Sequence, residues 1–211
     1  MLHGGRVHSD APARAVRLAY LRMVPIARML ASAGHAAGVG VGLVRYRTMG
    51  WNGARADALR DTLQVLDRTR EGYPEVPVVL VGHSMGGRAA LLAAGHPSVV
   101  AVCGLAPWVG PVDPVAQLAG RAVLLAHGDR DRITSPAGSL EFATRARAVS
   151  DRVCRFEVHG DGHPMLRRRR AWCDLTRTFV LGELGVEPMA PQITNAFGTP
   201  APYGLRAELT E

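Results

Sequence analysis

The sequence contains no lysine: all 25 basic residues of the 211-residue chain are arginines. The absence of lysine excludes a P-loop phosphate-binding lysine and an amine that could form a Schiff base with a substrate. The formal net charge is +7. However, no basic strip is interleaved with aromatic residues in the way that nucleic-acid-binding segments require. We therefore predict no nucleic-acid partner.

Cysteines are few and scattered, at positions 103, 154 and 173, with no CxxC pair and no metal-ligand spacing. His3 and His8 likewise have no third ligand at a suitable spacing, so no metal or other cofactor is predicted. No apolar run reaches the roughly 18 residues that a membrane-spanning helix needs. The N-terminus lacks the basic start and apolar segment of a secretory signal. These absences predict a cytoplasmic protein with no membrane partner.

Apolar segments of strand length alternate with segments of helical periodicity, which predicts a mostly parallel sheet flanked by helices. The predicted strands are Val39–Tyr46, Pro77–Val81, Val99–Leu105, Arg121–Ala126 and Arg152–Val158. The predicted later helices are Arg55–Arg70, Met85–Ala94, Leu140–Val149 and Met165–Leu184. The connection 108–120 is too short for a cap domain. We expect one domain over residues 1–185 and, because of four prolines, a loose tail over 186–211.

A first helix is predicted after Ser9 or Asp10, either of which is suited to be its N-cap, with Pro12 in its first turn. Residues on one face of this helix recur at helical spacing: Val16, Tyr20, Met23, Ala27 and Leu30. Pro25 should kink or split the helix, and Gly34 should end it.

The segment Gly82-His83-Ser84-Met85-Gly86 fits the pattern G-x-S-x-G. In this pattern the serine occupies a sharp turn from a strand into a helix, and the glycines allow the turn to close. The flanking sequence supplies that context, since an apolar strand precedes the motif and a helix-forming run follows it. The N-terminus of that helix also favours negative charge that develops beside Ser84.

Four segments together resemble the α/β-hydrolase superfamily: Leu2-His3-Gly4-Gly5, Gly82–Gly87, His127-Gly128-Asp129-Arg130-Asp131 and Gly160-Asp161-Gly162-His163. The similarity extends from residue 1 to about residue 185. It is greatest to small capless serine esterases and dienelactone-hydrolase-like members. Dienelactone hydrolases themselves use a cysteine nucleophile, whereas this chain has Ser84, so that particular activity is not expected.

The resemblance implies a catalytic triad in the chain order nucleophile, acid, histidine. It places the nucleophile at Ser84, the acid at Asp131 and the base at His163. Asp129 is the alternative acid and Asp113 a more distant one, while His159 is the alternative base. The remaining histidines considered, at positions 83, 96 and 127, are expected to be structural or exposed.

The resemblance also implies an oxyanion hole formed by the backbone N–H groups of Met85 and Gly5, with Arg6 as the alternative to Gly5. Trp51 and Trp108 lie on loops at strand ends and are candidates either for pocket lining or for ordinary loop packing. The run Arg167–Arg170 is interpreted as a solvated face. A second interpretation is that it attracts anionic substrates, because it lies close to His163 in sequence.

The beginning of the chain departs from the family pattern, since members usually have two more strands and a longer first strand. The fold is therefore predicted to be N-terminally reduced. Because a buried parallel strand needs about five residues, we expect the natural start codon to lie upstream.

These features predict a serine hydrolase that cleaves an ester or related acyl bond of a small molecule through an acyl-serine intermediate. The alternatives are acyl transfer, thioester hydrolysis or peptide cleavage by the same triad, because fold does not decide the reaction. A further alternative is an inactive scaffold that acts as a binding protein. The sequence predicts neither the substrate's identity nor an oligomeric state.

Overall fold

The computed structural model describes residues 1–14 and 17–209. Five strands form one parallel sheet in sequential order: β1 (Val78–His83), β2 (Val99–Leu105), β3 (Ala122–Gly128), β4 (Val153–Val158) and β5 (Ala207–Glu208). The helices are α1 (Leu18–Leu21), α2 (Val24–Gly34), α3 (Asp57–Gly72), α4 (Met85–Leu92), α5 (Pro136–Arg147), α6 (Arg169–Glu183) and α7 (Pro191–Gly198). In the described part of the chain, no helix is long and apolar enough to span a membrane.

Helices cover both faces of the sheet, because successive strand residues point to opposite sides. On one face, Val102 and Leu125 pack in a core with Leu66 of α3, Leu91 of α4 and Phe142 of α5. On the other face, the core contains strand residues together with side chains of three helices: Cys103, Phe156, Leu30 of α2, Phe179 of α6 and Ile193 of α7. This arrangement confirms the predicted parallel sheet flanked by helices. Residues 106–121, all of which are described, contain only the 3₁₀ turn Ala116–Leu118 and therefore no cap domain.

The predicted strand Val39–Tyr46 is wrong as a regular strand. Leu2 lies between this segment and β1, in single parallel bridges to Val44 and Gly82. Among the described residues, only Met1 hydrogen-bonds to this segment, by donating to Gly42 O and accepting from the Val44 N–H, whereas the backbone of Leu2 bonds to Val81 and His83. The ladder therefore has one position instead of several. The glycines at 38, 40 and 42 also disfavour an extended run, since glycine loses the most conformational freedom on ordering.

The first helix begins later than the sequence indicates, at Leu18, so the predicted N-cap at Ser9 or Asp10 is wrong. Residues 6–13 instead pair with the loop 47–51, through backbone hydrogen bonds such as Met49 N–H to Ala11 O at 2.9 Å. This pairing satisfies the backbone groups that a helix would otherwise use. Val16 lies outside the described residues. Pro25 divides the region into α1 and α2, and α2 ends at Gly34, as predicted.

Boundaries of the later helices also differ by a few residues: α3 spans Asp57–Gly72, α4 ends at Leu92, α5 spans Pro136–Arg147, α6 ends at Glu183, and α6 starts at Arg169 instead of Met165. The last difference follows from Met165, whose φ of 57° is incompatible with a right-handed helix.

Much of the segment after residue 186 is ordered and packed, which corrects the prediction of a loose tail. Pro191 begins α7 as a first-turn proline, a position that tolerates its missing N–H. Ile193 and Leu205 are completely buried, and Ala207–Glu208 pair with β4 as strand β5. The prolines of this segment therefore lie at the start of, or between, short secondary-structure elements.

Candidate active site

Ser84 occupies a one-residue turn between the end of β1 and the start of α4. Its φ and ψ are 56° and −119°, a strained conformation for a residue other than glycine. A Cβ atom at Gly82 would lie 2.2 Å from Gly86 O, and one at Gly86 would lie 2.3 Å from Leu2 O. Only glycine fits at either position, which explains the G-x-S-x-G spacing physically.

The structure brings Ser84, His163 and Asp131 together in one hydrogen-bonded chain. Ser84 Oγ lies 3.0 Å from His163 Nε2, and His163 Nδ1 lies 2.8 Å from Asp131 Oδ2. Because a carboxylate can only accept, His163 carries its proton on Nδ1 and leaves the Nε2 lone pair for the serine hydroxyl. All three residues are at least nine-tenths buried. This arrangement can transfer a proton from the serine to the imidazole.

Asp131 is held as an anion by several donors besides His163. Its Oδ1 accepts the backbone N–H groups of Ile133 and Thr134, while its Oδ2 faces Thr134 Oγ1 at 2.8 Å and His127 Nε2 at 3.2 Å. Burial alone would raise the pKa of Asp131, but the hydrogen bonds from His127, His163 and the two amides lower it well below its usual range. The carboxylate therefore stays ionised to stabilise an imidazolium at His163.

The alternative acids and bases lie elsewhere. Asp129 pairs with His159 on the surface, at 3.2 Å between Oδ2 and Nδ1. Asp113 binds the Arg88 guanidinium and the Gly110 amide. His96 faces Asp67. None of these contacts reaches Ser84, so the geometry favours Asp131 and His163 over each alternative.

The loop that holds Gly5 packs against the serine turn. Met85 begins α4, a Cβ atom at Gly5 would lie 2.3 Å from the end of the Met85 side chain, and one at Gly4 would lie 3.3 Å from Ser84 Cβ. Neither the Met85 amide nor the Gly5 amide has a protein acceptor among the described residues. The Arg6 amide, in contrast, donates to Met49 O at 2.8 Å and is already occupied. Gly5 therefore remains the better candidate of the two.

Trp51 and Trp108 enclose the Arg88 guanidinium, which lies 4.5 and 4.6 Å from the respective ring centroids. The Trp108 amide also donates to Ser84 O at 3.0 Å. The pair thus packs the loop after β2 against α4, which favours loop packing over pocket lining. Among the described residues, no group of three or more His, Cys, Asp or Glu side chains could hold a metal ion.

Solved structures of hydrolases share this architecture. An esterase from Pyrococcus furiosus superposes with a TM-score of 0.64 at 13% identity, covering 80% of this chain and 77% of that chain. An alpha-beta serine hydrolase homologue from Coxiella burnetii gives a TM-score of 0.54 at 17% identity, covering 74% and 76%. This chain has the α/β-hydrolase fold.

Sequence comparison agrees with the fold. The family model described as serine aminopeptidase, S33, matches residues 38–123, which include the Ser84 turn but neither Asp131 nor His163. A monoglyceride lipase from Rattus norvegicus is 56% identical over 38 residues, which are 18% of this chain and only 12% of the lipase. Together these matches support a hydrolase of the α/β fold.

Thr134 is a residue of the candidate active site that sequence reasoning missed. Its hydroxyl lies 2.8 Å from Asp131 Oδ2, 3.1 Å from His163 Nδ1 and 3.2 Å from Ala106 O. The signal available in the sequence was its spacing, since an aspartate commonly accepts the N–H of a residue two or three positions later.

We predict that Thr134→Val lowers kcat/KM for a short-chain ester about tenfold. The change removes one donor to the buried Asp131, and losing such a bond costs about 1–3 kcal/mol. Thr144→Val is the matched control, because among the described residues the Thr144 hydroxyl bonds only to Leu140 O, within its own exposed helix turn. Equal kinetics for the two variants would contradict the role of Thr134 in positioning the carboxylate.

His83, which precedes the serine, hydrogen-bonds to the backbone of the loop that carries His163. Its Nε2–H donates to His163 O at 2.9 Å, and the two rings are 4.7 Å apart. Burial, followed by the neighbouring basic groups His163 and Arg22, lowers the pKa of His83 from 6.5 to about 3. His83 is therefore neutral in the folded protein at any pH well above 3.

This shift predicts acid destabilisation. Between the unfolded pKa of 6.5 and the folded value of about 3, the unfolded chain binds a proton that folded His83 does not, so stability falls as pH falls. The free energy of unfolding, measured in urea, should fall between about pH 7.5 and about pH 5. That fall should be roughly 2 kcal/mol smaller in His83→Gln than in the wild type.

His159→Gln is the control for this experiment. Asp129 and Glu208 raise the pKa of the exposed His159. Its contribution is therefore present at low pH and lost as pH rises, which is the opposite sign. A His83→Gln variant with the full wild-type pH dependence would show that His83 is not buried as the neutral form.

Proposed function

We propose that this protein is a serine hydrolase that cleaves an ester or related acyl bond through an acyl-serine intermediate. The observation that carries the proposal is the continuous chain from Ser84 Oγ through His163 to Asp131, with contacts of 3.0 and 2.8 Å. Three side chains more than 30 residues apart in sequence converge at the carboxyl ends of parallel strands, where active sites of open α/β sheets lie.

In the proposed reaction, His163 Nε2 takes the proton of Ser84 as Oγ attacks the ester carbonyl. The negative charge that develops on the carbonyl oxygen is stabilised by the amides of Met85 and Gly5, together with the N-terminus of α4. His163 then gives the proton to the leaving alcohol. A water molecule, deprotonated by the same imidazole, hydrolyses the acyl-Ser84 ester and restores the enzyme.

An esterase and a monoglyceride lipase among the similar proteins favour ester hydrolysis, whereas the family model described as serine aminopeptidase makes peptide cleavage the second candidate. Thioester hydrolysis, peptide cleavage and acyl transfer need the same triad. They are separated by product analysis: an acyl donor incubated with water and a competing alcohol should yield mainly the free acid, whereas a dominant new ester would indicate an acyltransferase.

The direct test is labelling with a fluorophosphonate probe, which reacts with activated serines. The folded wild type should be labelled in a one-to-one ratio, and Ser84→Ala and heat-denatured wild type should not. A folded wild type that resists the probe would mean that Ser84 is not activated, and the inactive binding scaffold would become the better explanation.

A further inference from the structure

A cavity of about 350 Å³ lies between the α1–α2 region and the loop that follows His163. Its walls are predominantly apolar and include Leu21, Ile26, Met165 and Trp172. The volume is within the range of roughly 300–1,000 Å³ typical of small-molecule sites. Neither Ser84 nor His163 lines it, although Pro164 and Met165, the next two residues in the chain, do.

The charged side chains that line this cavity are both arginines, Arg22 and Arg169. Within residues 1–14 and 17–209, neither makes an ion pair. Arg22 is partly buried, and burial lowers the pKa of its guanidinium. A partly desolvated cation without a counter-charge is unfavourable.

Other shielded arginines in the molecule show what Arg22 lacks. Arg88 binds Asp113 at 2.6 Å, and the buried Arg155 binds Glu157 at 2.8 Å. Each of these guanidinium groups is shielded from solvent and has a carboxylate beside it. No carboxylate among the described residues pairs with Arg22, so a ligand that brought an anionic group would complete the site.

The rim of the cavity exposes large apolar side chains to water. Leu18, Leu21 and Leu166 are 79%, 46% and 67% exposed, and all three line the cavity. Single exposed leucines are ordinary, but three around one apolar cavity form a patch of the kind that marks a binding site. The lining thus combines an apolar surface with unpaired positive charge.

We propose that this cavity binds an anionic amphiphile of the medium-chain fatty carboxylate class, with the carboxylate at Arg22 and the chain along the apolar wall. The carboxylate matches the charge of Arg22, and the alkyl chain matches the apolar side chains of the wall. A fatty carboxylate is also the product that ester hydrolysis would release, and that link alone rests on the proposed function. Binding itself requires no chemistry at Ser84.

The test is isothermal titration calorimetry on the wild-type protein with decanoate, decanol and acetate. Decanoate contains no ester bond, so it is not turned over and the measurement is independent of the serine mechanism. Saturable binding of decanoate is expected, with at least tenfold weaker binding of decanol, which lacks the charge. Acetate, which lacks the chain, should not bind measurably.

Two variants locate the site. Arg22→Gln should weaken decanoate binding at least tenfold while leaving decanol binding unchanged. Leu21→Glu, at the exposed rim, should weaken decanoate binding without affecting folding. Arg28→Gln is the matched control, because it removes the same charge from an exposed position of α2 that does not line the cavity.

The proposal is overturned if folded wild type shows no saturable decanoate binding, or if decanol binds as tightly as decanoate. It is equally overturned if Arg22→Gln and Arg28→Gln bind decanoate alike. None of these outcomes bears on fluorophosphonate labelling of Ser84. The two proposals can therefore fail separately.

Discussion

Ser84→Ala is expected to lower kcat/KM for a short-chain p-nitrophenyl ester by about 10⁴-fold or more, to the residual rate that binding and oxyanion stabilisation alone provide. The change removes a single oxygen at the turn, and alanine carries the same Cβ atom in the same strained conformation. The variant should therefore fold, and its circular dichroism spectrum and urea midpoint should match the wild type closely.

A matched control is Ser139→Ala. The Ser139 hydroxyl is buried and hydrogen-bonded, to Pro136 O and from Arg155 Nε, but lies in α5 away from the site. Its loss should affect stability and leave kcat/KM nearly unchanged. If Ser84→Ala kept a substantial part of the wild-type rate, another nucleophile would have to carry the reaction.

Asp131→Asn is expected to have the second largest effect, a loss of about 10³–10⁴-fold in kcat. The amide NH₂ of asparagine would face donors at the positions where Oδ2 now accepts from His163, Thr134 and His127. The imidazole would then lose both its tautomer and the charge that stabilises its protonated form. The buried mismatch should also lower the free energy of unfolding by about 1–3 kcal/mol.

Asp129→Asn separates this effect from a general loss of negative charge in the same loop. Asp129 lies two residues away and pairs on the surface with His159. Because this surface pair contacts neither Ser84 nor His163, and exposed pairs contribute at most about 1 kcal/mol, its replacement should change kcat less than about fivefold. A greater effect at Asp129 than at Asp131 would reverse the choice of acid and contradict the geometry.

The sequence predicts the turn that holds Ser84 and the strand and helix beside it better than the N-terminal and C-terminal segments of the fold. β1, Ser84 and α4 are locally determined, because a continuous apolar run, two obligatory glycines and a helix-forming run all favour the same turn. The convergence of Asp131 and His163 is a long-range property that the sequence alone does not specify. It was inferred from the resemblance, and the structure supplies the distances.

The errors in the sequence interpretation have a common origin in tertiary pairing. Residues 6–13 contain good helix-start signals, yet they pair with residues 47–51 and remain extended. Pro191 suggests a loose tail, yet Ile193 and Leu205 find buried positions against β4 and α5. Thr134 was missed because its hydroxyl gains its role only from the fold, which places it beside Asp131, His163 and Ala106.

The measurement that tests the central claim most directly is mass spectrometry of the protein acylated by a slowly deacylating ester, p-nitrophenyl pivalate. Trypsin releases Ser84 in the peptide 71–88, where it is the only serine and where no threonine, cysteine or lysine is present. The absence of lysine from the whole chain also removes the usual background of non-specific amine acylation.

An acyl-serine mechanism predicts one pivaloyl group per chain, located on Ser84 in peptide 71–88 and absent from Ser84→Ala. Acylation at a cysteine or at the N-terminus, or turnover of the ester with peptide 71–88 unmodified throughout, would contradict an acyl-Ser84 intermediate.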